Sequence, residues 1–395
     1  MTHTFDFDTP AKRRGCGSAK WDALSAILGD DAPDDALPMW VAQTDFAPAP
    51  CIQAAARRLA DAGQWGYFTG LATLFERAAW WQETRHGWAA DPGRYYATHG
   101  LGNAIGLTLQ ALTEPGDGIV VLSPVYHEFA GKIGRNGRTL VEAPLSIGPD
   151  GRFALDLEAL EASLTGRERM LLISAPHNPA GRIWSAEEMR GMHALCRRHG
   201  MVLVSDEIHQ DLAFPGHAHV PAAAAIDDTE GLVVMSAASK TFDVAGLRTG
   251  LVWIADDDLR DKFGRLHRAL DIQPNIAGHA VTCAAYSPEG AAWVDALMAY
   301  LDGNRQTFCD GVNAIPGLSA MPMDATFLAW VDFSGTGMEQ AEIDRRVMGD
   351  ARIAPTPGPS LGHGGGLHHR FNIGTQRDVV AAAVDRLRDA FADLQ

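Results

Sequence analysis

Three residues of unlike chemistry occupy like positions in this chain. Asn178 comes shortly after the apolar run Met170-Leu171-Leu172-Ile173, and Asp206 shortly after Met201-Val202-Leu203-Val204. Lys240 follows Gly231-Leu232-Val233-Val234-Met235, to which "SAAS" joins it. Short apolar runs of this kind read as strands buried on both faces. Ligands of open α/β sheets sit outside the carboxyl ends of the strands, so an amide, a carboxylate and an amine would face one site. Singly, each has an ordinary explanation. An Asp after a strand caps a helix or makes a turn, a lysine is a solvated surface charge, and Asn before Pro opens a turn. The shared placement of all three outweighs those explanations.

An amide, a carboxylate and a lysine together suit pyridoxal phosphate (PLP). Its aldehyde needs an amine for a Schiff base. Its pyridine nitrogen must stay protonated to act as an electron sink, which a buried carboxylate enforces. Its phenolic oxygen accepts a hydrogen bond, which an amide can donate. Its phosphate needs N–H groups at a helix start and an arginine. The stretch "GLGNAIGLTLQAL", residues 100–112, supplies a glycine-rich turn running into a helix with Ile105, Leu109 and Leu112 on one face. Its glycines at 100, 102 and 106 miss GxGxxG by one residue, so a dinucleotide fingerprint is excluded. Ser239 immediately precedes Lys240, and Arg248 lies eight residues after it.

The elements that must position these residues follow from the rest of the pattern. Strands over 119–122, 170–173, 201–204, 231–235 and 251–254 alternate with helical patterns between about 51 and 285. One helix opens at Ser185 with Glu188 completing a capping box, shows Met189, Met192, Leu195 and Cys196 on one face, and closes at Gly200. Strands joined through helices predict an α/β fold with a mostly parallel sheet covered on both faces. Beyond 290 the pattern changes to a helix (Trp293, Leu297, Tyr300, Leu301), a strand in "ATFLAWVDF", a glycine-rich loop and a final helix. The expected organisation is a proline-rich segment over 1–50 with one short strand in "LPMWVAQTDF", a large domain over 51–288, and a smaller α+β domain over 289–395 to which the first segment contributes.

A chain of 395 residues, 46% hydrophobic, can bury a sizeable core. A net charge of −16 argues against a nucleic-acid or anionic-membrane surface. Five scattered cysteines without a CxxC pair point to a reducing compartment. "MTHTFDFDTP" has no signal-peptide core, and no apolar stretch approaches the ~18 residues of a membrane span. A cytoplasmic protein is expected.

Other residues invite readings of their own. His363, His368 and His369 fall in the glycine-rich loop, without the Cys or paired carboxylate that would complete a metal site, so no metal is expected. His363 is placed near the substrate entrance, and His127 beside Tyr126 is split between packing and a site role. "RRGCGSAK" lacks P-loop spacing and reads as a solvated loop near the substrate mouth, with Cys16 an unreactive thiol. Trp40 and Trp65 read as core or interface residues.

In "SDEIHQD", "SAPHNPAGRIWS", "SKTFDVAGLR" and "SPVYHEF" the chain resembles PLP-dependent enzymes of fold type I, the aspartate-aminotransferase-like fold. With "FDFDTPAKRRGCGSAKWD", "LPMWVAQTDF" and "YFTG" it resembles, more narrowly, the cystathionine β-lyase-like MalY/PatB branch of the class I/II aminotransferase family. The resemblance covers nearly the whole chain. It implies a seven-stranded type of sheet, with Lys240 carrying the cofactor and shuttling protons. Asp206 would hold the pyridinium, Asn178 the phenolic oxygen with His209 nearby, and Tyr126 would stack on the ring. Leu101 and Gly102 N–H groups, Ser239 and Arg248 would hold the phosphate. Tyr67 would reach the phosphate of a neighbouring subunit, implying a homodimer. Arg370, in "HHRFNIG", would clamp the carboxylate of an amino-acid substrate. The implied reaction is carbon–sulfur β-elimination from a cystathionine- or cysteine-S-conjugate-like substrate, with transamination as the alternative and a PLP-bound regulatory protein as the third reading.

Overall fold

The apolar runs form the centre of a seven-stranded sheet. In chain order its strands are β1 (Tyr95–Thr98), β2 (Gly118–Ser123), β3 (Thr139–Pro144), β4 (Glu168–Ser174), β5 (Val202–Asp206), β6 (Leu232–Ser236) and β7 (Gly250–Ile254). Their order across the sheet is β1-β7-β6-β5-β4-β2-β3, and β7 alone of these runs antiparallel to its neighbours. The structure, a computed structural model, describes residues 5–30 and 32–394. The first four residues of the acidic N-terminal stretch read above lie outside them.

Alternation along the strands explains why both faces are covered. Val120, Leu122, Leu171, Ile173, Leu203, Val234 and Leu251 join one apolar cluster, and their neighbours Ile119, Val121, Met170, Leu172, Val204, Val233 and Val252 join the other. The helix Ala186–Arg198, with the capping box at Ser185 and Glu188, buries Met189, Met192, Leu195 and Cys196 against the first face. The helix Leu101–Leu112 buries Leu101, Ile105 and Leu109 against the second. β1 and β3 carry no continuous apolar run: β1 is the short "YYAT", and β3 is a half-exposed edge strand.

The helix Pro288–Asn313 leads to a second, four-stranded sheet. Its strands are β8 (Ser319–Ala320), β9 (Leu328–Asp332), β10 (Thr356–Pro357) and β11 (His368–Asn372), antiparallel in the order β8-β9-β11-β10. His368 and His369 therefore lie in a strand, not in the glycine-rich loop. Strand alternation sends them to opposite faces. His368 stacks on Trp330 at 4.9 Å between centroids, and buried His369 has Nε2 3.0 Å from Asp344 Oδ1. Among the described residues no group of His, Cys, Asp and Glu could hold a metal ion, and no helix is long and apolar enough to cross a membrane.

The N-terminal segment threads between the two sheets. Its short strand, Leu37–Pro38, pairs with Ile353–Ala354. Asn372 Nδ2 donates to the carbonyls of Val41 and Gln43, both at 2.6 Å. The solvated-loop reading of "RRGCGSAK" fails at both ends. Arg13 donates to Phe46 O at 2.7 Å and pairs with Asp243 at 3.0 Å. Lys20 is 0% exposed and bonds Asp45 Oδ2 at 2.6 Å and Gln43 O at 3.2 Å. These partners lie in segments that only the fold brings close.

Candidate active site

The carboxyl ends of β1, β2, β4, β5 and β6 converge on a cavity of about 350 Å³. Lys240, Asp206, Asn178, His209, Tyr126, Ser239, Arg248, Leu101 and Gly102 all line it. Of the residues expected to touch the cofactor, Tyr67 is the exception: its ring is wholly exposed. An adjoining cavity of about 470 Å³ shares Ala42, Tyr126 and Lys240 with the first and is lined by Arg370.

Electrostatics follow from enclosure. Loss of water around the Lys240 ammonium, then the charge of Arg370, push its pKa down to about 8, against the pull of Asp243 and Asp206. Nζ donates to Ala42 O at 2.8 Å. Burial pushes Asp206 up to about 7, while the Ile208 N–H, at 3.2 Å from Oδ1, and the Lys240 charge hold it down. A cationic N–H donor brought against this carboxylate would keep it ionised. Burial, then Lys240 and Arg370, press His209 down to about 3, so its imidazole is neutral. Its Nδ1 is buried without a partner. Burial above all raises Tyr126 to about 12, so it stays a phenol.

The helix Leu101–Leu112 starts at the cavity rim. Gly100 has φ +79°, the left-handed region that favours glycine, and its carbonyl accepts from Asn103 and Ala104. That leaves the Leu101 and Gly102 N–H groups free of intrahelical partners, as at any helix start. Arg248 packs on Gly100, where an added Cβ would lie 3.6 Å from its Cα. A Cβ at Gly102 would lie 3.3 Å from Lys132 Nζ, so a second cation overhangs the cradle.

Arg370, on β11, is 3% exposed. Nη1 donates to Asn178 Oδ1 at 2.9 Å, and Nη2 to Trp40 O at 2.8 Å and Thr356 Oγ1 at 2.9 Å. Nε has no partner. Among the described residues no carboxylate pairs with this guanidinium. Burial lowers its pKa to about 10, which leaves it charged at neutral pH. A buried cation without an anion is a place prepared for one.

Several site residues escape the sequence reading. Ala42, which accepts from Lys240, lies in "LPMWVAQTDF" but contributes only a backbone carbonyl, and Thr356, which accepts from Arg370, has no motif around it. Lys132, on the helix His127–Arg135, goes unmentioned in the sequence reading. Trp40 is half-buried and lines the second cavity, as does His127. Trp65 is 63% exposed, not core. In "SDEIHQD" the other acids serve the scaffold: Glu207 accepts from Ser205 Oγ and Ala222 N, and Asp211 from Trp81 and Thr241. His363 is exposed on the loop after Leu361, its N–H bound to Glu142.

The donor set fits a flat phosphorylated heteroaromatic aldehyde. It offers an amine of lowered pKa, a carboxylate awaiting a cation, a neutral imidazole with an unpartnered nitrogen, and an anion cradle with two cations. Residues 40–387 match the sequence profile of the family aminotransferase class I and II. The chain is 36% identical to cystathionine beta-lyase PatB of Bacillus subtilis (strain 168), over 98% of this chain and 100% of that one. It is 30% identical to protein MalY of Escherichia coli (strain K12), over 98% of each. The solved structure of cystalysin from Treponema denticola, which contains a pyridoxal 5'-phosphate cofactor, matches with a TM-score of 0.93 at 26% identity, covering 100% of both chains. The chain belongs to the aminotransferase class I and II family, in the branch of PatB and MalY.

Proposed function

We propose that this chain is a PLP-dependent carbon–sulfur β-lyase that cleaves cystathionine- or cysteine-S-conjugate-like amino acids to a thiol, pyruvate and ammonia. The observation that carries the reading is the meeting of Lys240, Asp206 and Asn178 in one cavity, with the unpaired guanidinium of Arg370 in the next. The likeness to PatB supports the sulfur substrate. When bound, PLP supplies an aldehyde carbon to hold the amino group and a ring that draws electrons from Cα. Asp206 would hold the ring nitrogen, Asn178 and His209 the phenolic side, and Tyr126 the ring face. The Leu101 and Gly102 N–H groups, Ser239 and Arg248 would hold the phosphate. Tyr67, pointing into solvent, would complete the phosphate site of a partner in a homodimer. The division into 1–50, 51–288 and 289–395 belongs to the same proposal, with the site between the sheets of the two larger units.

Arg370 fixes the substrate carboxylate with Nε and an Nη, a fork that a lysine could not reproduce. That fixes rotation about Cα and turns its C–H toward Lys240. Lys240, with a pKa near 8, is neutral often enough at pH 7–8 to take the proton. The Cβ–S bond then breaks, sulfur leaves with the bonding pair and takes a proton, and water converts the three-carbon remainder to pyruvate and ammonia. The sum is redox-neutral. The test is incubation of the holo-protein with L-cystathionine and S-alkyl-cysteines in the absence of any keto acid. Release of pyruvate and thiol in equal amounts is expected. Amino transfer to an added keto acid with no pyruvate would instead make the chain an aminotransferase.

A further inference from the structure

The second cavity is where a substrate side chain must go once its carboxylate is on Arg370 and its Cα faces Lys240. Ile27 and Trp40 of the N-terminal segment line its wall, with Val41, Pro357, Ser360 and His127. Both wall residues are held in place. Trp40 Nε1 donates to Lys20 O at 3.0 Å, and Ile27 packs on the small apolar cluster of Leu24, Ala36 and Ala354.

Among the described residues the charged side chains lining this cavity are Lys240 and Arg370 only. Burial and the Arg370 charge keep the His127 imidazole neutral at pH 7. Of the carboxylates nearby, Asp30, three residues after Ile27, is exposed and does not line the cavity, and three others are engaged elsewhere. Glu142 accepts from His363 N, Glu128 is held by Lys132 and Arg135, and Asp243 by Arg13. Tyr67, which the dimer reading brings across from a partner, is flanked over 62–71 by uncharged residues, with Asp61 just before them.

We propose, resting on the lyase reading above, that this cavity selects cysteine S-conjugates whose sulfur substituent is uncharged and apolar, alkyl or arylalkyl, and disfavours cystathionine, with Ile27 and Trp40 as the specificity-determining residues. The distal end of cystathionine carries an ammonium and a carboxylate. Here the ammonium would meet an isoleucine, an indole, a proline and the hydroxyl of Ser360, which donates to Pro357 O, in place of an acid, and desolvation without a charged partner is unfavourable. An alkyl or benzyl group gains by leaving water.

The test titrates the visible absorbance of the holo-protein with carbon analogues of S-benzyl-cysteine and of cystathionine, in which methylene replaces sulfur so that nothing can be eliminated. The S-benzyl analogue is expected to bind at least about tenfold more tightly, and kcat/KM for S-benzyl-cysteine to exceed that for cystathionine in similar proportion. Ile27→Asp, which places an acid on the wall, is expected to shrink or reverse both ratios. Should that variant not fold, the wild-type ratios decide alone. Equal or tighter binding of the cystathionine analogue overturns the inference. Pyruvate from cystathionine at an equal or higher kcat/KM overturns it while leaving the lyase reading standing. Pyruvate from no S-conjugate, with the binding order as expected, overturns the lyase reading and supports the apolar cavity.

Discussion

The site has a floor and a roof that meet at Lys240, and they are built by different means. The floor is the set of residues that follow β1, β2, β4, β5 and β6. Each lies within a few positions of its strand, and the strands are fixed by ladder hydrogen bonds and by an apolar cluster on each face. The roof is residues 13–46 together with β10 and β11. Beyond the apolar contacts of Met39 and Phe46, it has polar ties distant in sequence: Arg13 to Asp243, Lys20 to Asp45, Asn372 to the carbonyls of Val41 and Gln43, and Arg370 to Trp40 O. The difference assigns the labour. On the proposed reading the floor would hold the cofactor and move the proton, whereas the roof, whose Ala42 O accepts from Lys240 Nζ, would shape the space for the substrate side chain.

The largest effect should come from the floor. Lys240→Ala removes the amine, and turnover is expected to fall by roughly a thousandfold or more, the scale of a lost general base and covalent anchor. The fold should survive, since the sheet ladder does not involve the Lys240 side chain. Pyruvate release and far-UV circular dichroism report the two halves of this expectation. A variant of native spectrum that keeps its turnover would sink the assignment of the floor.

A smaller effect, of a different kind, should come from the roof. Lys20→Met leaves Asp45 buried with the Trp21 indole N–H at 2.7 Å but without its cation. Breaking a buried ion pair in this way costs about 3 kcal/mol. The loss should appear as local opening of the N-terminal segment ahead of global unfolding. Limited proteolysis within residues 13–46 should quicken and KM should rise, with kcat lowered less than by Lys240→Ala. An unchanged cleavage rate would mean that the roof is held by its apolar contacts and not by this pair.

The same contrast explains what could be read from the sequence. Asp206 and Lys240 stand out because their context is local: each comes at or just after the end of a buried apolar strand. Asn178, four residues past the end of β4, is legible for the same reason. β1 and β3 are not, because a four-residue strand and a half-exposed edge strand lack a period long enough to see. His368 and His369 follow three glycines and look like loop, yet pairing with β9 makes them strand. Arg13 and Lys20 look solvated because nothing beside them in the sequence announces Asp243 or Asp45. Arg370 is reached by resemblance alone. Its partners are a backbone carbonyl, a threonine and an asparagine from three separate segments.

Asp243 belongs to both halves, three residues after Lys240 and paired with Arg13 of the roof. It holds a left-handed conformation, φ +55°, which asparagine also tolerates. Asp243→Asn should therefore keep the backbone while removing an anion that favours the protonated Lys240. The sign follows directly. Without that anion, and with Arg13 left unneutralised, the Lys240 pKa drops below about 8, so the neutral amine persists to lower pH. The acidic limb of kcat at saturating substrate should move to lower pH by roughly half a pH unit. Burial raises Asp243 itself to about 6, so below that pH the wild type also loses the anion and the two profiles should converge. A parallel displacement that persists at low pH would assign the effect to the lost Arg13 contact, and a limb that does not move would show that the floor is electrostatically insulated from the roof.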